Sequence, residues 1–85
     1  MVGKILIVDD VATNRIVLKA KLAMACYQPM LAADGRSCLR LAREALPDLI
    51  VLNVRLPDLP GIEVVQALRA DPLTADIPVL MLADT

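Results

Sequence analysis

Eighty-five residues leave room for one domain at most, and a composition that is 58% hydrophobic argues against a disordered chain. A formal net charge of −1 and a single aromatic residue, Tyr27, leave neither a basic surface for a nucleic-acid backbone nor platforms for stacked bases. No histidine and only two cysteines, Cys26 and Cys38, exclude a structural zinc site and a disulfide framework; both thiols are expected reduced and packed within helices.

Met1 to Val8 carries Lys4 and one four-residue apolar run, too short for a signal peptide or a membrane span, so the expected location is the cytoplasm. That run, Ile5 to Val8, is the first of four; the others are Pro29 to Ala33, Leu49 to Leu52 and Val79 to Leu82. The first, third and fourth are continuous rather than alternating, as in parallel strands covered on both faces. Three segments of helical spacing lie between them. Val11, Leu18, Leu22 and Ala25 share one face of the first, with Arg15 and Lys19 elsewhere. Cys38, Leu41, Ala42 and Ala45 form the apolar stripe of the second. Val64, Val65 and Leu68 form that of the third, which Gly61 opens and Asp71 and Pro72 close. Strand–helix alternation of this kind predicts an α/β sheet built of crossovers. Met24, Met30 and Met81 read as packing residues, and Pro57 and Pro60 around Leu59 as a rigid turn.

Open α/β sheets bind ligands at the carboxyl ends of their strands. Those ends carry Asp9 and Asp10 after the first strand, Asn53 at the third, and Ala83 and Asp84 at the fourth. Two adjacent carboxylates suit a hard cation such as Mg²⁺, which takes one or two carboxylates plus waters. They equally suit the cap of the helix that follows, and both readings stand on residue type alone. Arg36, Arg40, Arg43 and Arg55 read as solvated charges rather than a phosphate clamp.

Three stretches carry a resemblance to a known family. ILIVDD at Ile5 to Asp10, followed by Asn14 and Leu18, resembles the opening of a CheY-like receiver domain of bacterial two-component response regulators. PDLIVLNVRLPDLPG at Pro47 to Gly61 is similar to that family's third strand and active-site loop, and ADPLTADIPVLMLA at Ala70 to Ala83 to its fourth strand and the segment before it. DDVATNRIVLKAKL and RADPLTADIPV are closest to the receivers that head PleD-type diguanylate cyclases. The resemblance implies a flavodoxin-like parallel sheet with helices on both faces, of strand order 2-1-3-4, with residues 1–85 forming one receiver domain truncated after its fourth strand.

It also implies roles for single residues. Asp9 and Asp10 match the acidic pair that holds Mg²⁺, Asn53 stands at the phosphoacceptor position, and Arg55 offers the metal its backbone carbonyl. Ala83 falls where the family places a switch Ser or Thr. Two of these depart from the pattern. Phosphoacceptance needs an anionic aspartate oxygen as nucleophile, and the Asn53 amide is neutral. Ala83 has no hydroxyl to bond a phosphoryl oxygen. Pro60 replaces a residue that is usually polar or acidic, which alters the loop's shape.

The expected function is therefore that of a regulatory module rather than an enzyme: a degenerate receiver in phosphorelay signalling, acting by protein contact or dimerisation within a larger regulator, with Mg²⁺ binding weakened or lost. The alternative is a phosphorylatable receiver carrying an inactivating change from Asp at position 53. Expected partners are a histidine kinase or phosphotransfer protein, an output domain, and a second copy of the chain through uncovered apolar surface. No nucleic acid or membrane is expected to be bound directly. A flavin- or nucleotide-binding flavodoxin-type protein is disfavoured, because DDVATN stands where a glycine-rich phosphate loop belongs.

Overall fold

A computed structural model describes residues 3–83 of the chain. The elements alternate as expected: β1 (Lys4–Val8), α1 (Ala12–Met24), β2 (Gln28–Ala32), α2 (Gly35–Ala45), β3 (Leu49–Asn53), α3 (Gly61–Ala70) and β4 (Val79–Leu82). All strand pairs are parallel and the order is β2-β1-β3-β4, the 2-1-3-4 arrangement expected. Asp84 and Thr85 lie outside the described residues.

Side chains alternate across a strand, so every second residue of each apolar run faces the same layer. Leu6, Val8, Ile50 and Leu52 point to one side, where Cys38 and Ala42 of α2 and Val64 and Leu68 of α3 close a fully buried core. Each buried aliphatic side chain there contributes about 1.5–3 kcal/mol. Gly35 lets α2 and α3 approach closely: a Cβ on it would sit 2.9 Å from Val64 Cγ2 and 3.1 Å from Leu59. The C-terminal end of α2 is tied to the end of α3 by Arg43 Nε and Asp71 at 2.8 Å.

Ile5 and Ile7, also buried, face the opposite layer, where α1 packs on β1 and β2. This side departs from the sequence expectation. Leu18 and Leu22 are half-buried, but Val11 and Ala25 flank the helix as exposed residues and no α1 residue is fully buried. Met24, expected to pack, is 85% exposed, whereas Met30 does pack against the core. On the same side of the sheet α1 packs on β1 and β2, and Leu80 and Leu82 of β4 stay exposed on alternate positions of the far edge.

Two further expectations are corrected. Cys38 is buried in α2, but Cys26 lies exposed in the turn between α1 and β2, at φ 67°, in the left-handed region. Residues 57–59 bend without a hydrogen-bonded turn, because Pro60 supplies no N–H to close one. Pro29 is tolerated because β2 is an edge strand. Gln28 N–H donates inward to Gly3 O at 2.8 Å, so Pro29, one residue on, lacks its donor on the outer side.

Candidate functional site

The strand register assembles the site. Val8 pairs with Leu52, and Asn53 with Leu82, so the residues at and just after these positions gather at adjacent strand ends. Asp9 follows β1, Asn53 ends β3 and Ala83 follows β4. All three candidate positions are thus brought to one edge of the sheet.

Asp9 is 5% exposed and heavily engaged. Val11 N–H donates to its Oδ1 at 2.9 Å, and Asn14 Nδ2 donates to its Oδ2 at 3.1 Å. Arg15 Nη1 donates to its backbone carbonyl at 2.8 Å. Asp10 is exposed and points its charge to solvent. The helix-capping reading of this pair fails in its strict form. Val11 is the N-cap residue of α1, and no side chain caps the first turn. Asp9 instead closes a short turn ahead of the helix.

Asn53 is 6% exposed, and its Oδ1 accepts the Arg55 N–H at 2.9 Å. That bond folds the chain back directly after β3 and fixes the Arg55 peptide beside the amide. The guanidinium of Arg55 is exposed, as are those of Arg36, Arg40 and Arg43; Arg40 pairs with Glu44 at 3.5 Å within α2. Gly61 N–H donates to Val54 O at 2.9 Å, and a Cβ at Gly61 would lie 2.9 Å from that same oxygen. Only glycine lets the return of the loop close this tightly. Residues 54–60 line an open cavity of about 340 Å³ beside the strand ends.

The donor set fits a hard cation at reduced charge. Each carboxylate oxygen keeps a second lone pair after accepting one bond, and the Asn53 and Arg55 carbonyls are oxygen donors as well. Among the described residues no three His, Cys, Asp or Glu side chains converge on one point. Ala83 is exposed and brings a methyl group to the edge.

Residues 5–85 match the response regulator receiver domain. The chain belongs to that family. Response regulator PleD of Caulobacter vibrioides is 40% identical over 82 residues, covering 96% of this chain and 18% of PleD. The DNA-binding dual master transcriptional regulator RpaA of Synechocystis is 46% identical over 79 residues, covering 93% of the chain and 33% of RpaA. The chain thus spans a third or less of these relatives. The chemotaxis response regulator CheY4 of Vibrio cholerae superposes with a TM-score of 0.92 at 36% identity, over 95% of this chain and 68% of that one. A response regulator receiver protein of Methanoculleus marisnigri gives 0.92 at 34% identity, over 95% and 66%. The CheY-like fold and the place in two-component signalling follow, and a receiver is a regulatory rather than a catalytic domain. No helix among the described residues is long and apolar enough to cross a membrane.

Sequence reasoning missed three contributors to this corner. Asn14 stood in the motif without a role, and Arg15 was placed away from the apolar face; both bond Asp9, and their spacing of five and six residues from it was the available signal. Asp58 had none. Its carboxylate accepts Gly35 N–H at 2.8 Å and Arg36 N–H at 3.0 Å, and these bonds, the Gly35 one foremost, hold its carboxyl below the usual carboxylate range. The contact spans more than twenty residues of sequence, so no local pattern encodes it.

Proposed function

We propose that this receiver is degenerate: it does not accept a phosphoryl group at residue 53 and works by protein contact within a larger regulator. The observation that carries this is the neutral Asn53 amide, buried at the end of β3 beside the Asp9 strand end. An amide oxygen is a far weaker nucleophile than a carboxylate and cannot form the acyl phosphate. Ala83 agrees with this reading, since its methyl group cannot hydrogen-bond a phosphoryl oxygen. Receiver domains generally bind Mg²⁺. Here Asp9, Asp10, the Asn53 oxygen and the Arg55 carbonyl would hold it, more weakly for want of one charge. The bound cation would neutralise oxygen charge at the strand ends.

Residues 1–85 act as one receiver unit of a cytoplasmic regulator, whose output domain and upstream histidine kinase or phosphotransfer protein follow the family pattern. A second copy is a further partner, because β4 presents an apolar edge with Leu80 53% exposed. Sedimentation should reveal concentration-dependent association; a monomer throughout the accessible range removes that partner.

The test of degeneracy is acetyl phosphate with Mg²⁺, read by phosphate-affinity electrophoresis. The chain as it stands should remain unlabelled, and labelling at residue 53 overturns the proposal. Asn53→Asp decides the second reading, that of a competent receiver carrying one inactivating change. Labelling of that variant favours it, and its absence leaves the degenerate receiver.

A further inference from the structure

The N-terminus of α2 holds two carboxylates from different parts of the chain. Asp34, the N-cap, accepts Ser37 N–H at 2.8 Å, which is the local cap that a helix start normally uses. Asp58, from the loop between β3 and α3, takes the two amides that Asp34 leaves, those of Gly35 and Arg36. One cap satisfies a helix; the second fastens a distant loop to it. Asp58 is exposed, so apolar burial does not hold it there, and the charge-assisted bonds to the positive end of the helix do.

The fastened loop is the one that leaves Asn53. Its other supports are the Arg55 N–H bond to Asn53 Oδ1 and the Gly61 N–H bond to Val54 O, at its two ends. Between them Leu56 and Leu59 pack against the core, and Leu59 lies against Gly35, the same residue whose amide Asp58 accepts.

We propose that Asp58 is a positioning residue: by accepting the Gly35 and Arg36 amides it sets the loop conformation in which the Arg55 peptide faces Asn53. For its metal arm the proposal rests on the reading of the site given above; its loop arm does not. The position of the Arg55 carbonyl, a donor for the cation, is then governed by the start of α2.

Amide hydrogen exchange and NMR shifts of the 85-residue chain test this, with Asp58→Ala set against Asp34→Ala. Both variants remove a cap from the same helix end, but only the first releases the loop. Asp58→Ala should speed Arg55 amide exchange by about tenfold and shift the Asn53 side-chain amide. Asp34→Ala should affect Ser37 and leave Arg55 unchanged. Asp58→Asn, which keeps one acceptor oxygen, should fall between Asp58→Ala and the native chain. Unchanged Arg55 exchange in Asp58→Ala overturns the proposal, as does an equal response to Asp34→Ala, which would reduce Asp58 to a helix cap. A Mg²⁺ titration of the same samples should show weaker binding in Asp58→Ala alone. If the native chain takes no Mg²⁺ while Arg55 exchange still responds to Asp58→Ala, the metal reading fails and the hold of Asp58 on the loop stands.

Discussion

Placing a negative charge at residue 53 tests the electrostatics of the site directly. Val8 pairs with Leu52, so residues 9 and 53 leave neighbouring parallel strands, about 4.8 Å apart. Both positions are at least 94% buried, which places the interaction in the lower-dielectric part of the surface. Two unit charges at that spacing and an effective dielectric of about 20 repel by about 3.5 kcal/mol, and water entering beside exposed Asp10 lowers this toward about 2 kcal/mol. Asn53→Asp should keep the Arg55 N–H bond, since the new oxygen accepts as the amide oxygen did, so the loss is of charge balance rather than of geometry. In urea, with m of about 2 kcal/mol/M, the midpoint should fall by about 1–2 M in EDTA. Mg²⁺ at a hundred times its Kd should return about 2.7 kcal/mol. The assay is far-UV circular dichroism through a urea series at pH 7, with and without Mg²⁺, on both proteins. An unchanged midpoint in EDTA together with no response to Mg²⁺ refutes the argument, because it means that the two strand ends do not share a field.

Other expected outcomes bear on packing and chemistry. Thr74 is 1% exposed and its Oγ1 donates to Leu68 O at 2.7 Å, at the end of α3; Thr74→Val should cost about 0.5–1.5 kcal/mol in urea unfolding, because Leu68 O then keeps only the longer bond from the Asp71 N–H at 3.4 Å. A thiol reagent should titrate one cysteine, exposed Cys26, in the native state and Cys38 only on unfolding; rapid labelling of both contradicts the burial of Cys38. Burial pushes the Cys38 thiol up to about 12 from an ordinary 9.0. Stability from keeping it neutral is thus fully present below pH 9 and lost as pH rises toward 12, by about 1.4 kcal/mol per unit. Cys38→Ala should flatten that alkaline slope in urea midpoints, and parallel slopes in the two proteins disprove the assignment. Leu46, 49% exposed, caps α2 at φ 49°, a left-handed conformation that costs a branched residue about 1–2 kcal/mol. Leu46→Gly should accordingly raise the thermal midpoint, and a lower one would show that Leu46 packing outweighs the strain.

How much of this was legible in the sequence follows from where the information sits. The apolar runs at Ile5, Leu49 and Val79 gave strands to within one residue, because both faces of these strands are read from consecutive positions. α2 and α3 were legible for the same reason: Cys38, Ala42, Val64 and Leu68 are buried on the stripes expected. α1 was legible as a helix, with Leu18 and Leu22 inward as expected, but its shallow burial was not, since periodicity reports which residues share a face and not how much lies opposite; Ile16 is 64% exposed despite its type. In the site, the motif spacing placed Asp9, Asn53 and Ala83 at neighbouring strand ends. The bonds that shape the corner were invisible for two distinct reasons. Those of Asn14 and Arg15 to Asp9 depend on how the helix starts, and that of Asp58 depends on which loop the fold lays across α2.

Pro29 gives the sheet a polarity of growth. On β2 the outward-facing row of backbone donors is broken at Pro29, whose ring nitrogen has nothing to offer a newcomer. On β4, Leu82 O accepts Val54 N–H and Pro78 O accepts Ile50 N–H, so the outward row belongs to Val79 and Met81, each with a donor and an acceptor. A strand laid beside β4 therefore meets an unbroken row of donors and acceptors, and one laid beside β2 meets a row with a donor missing at Pro29.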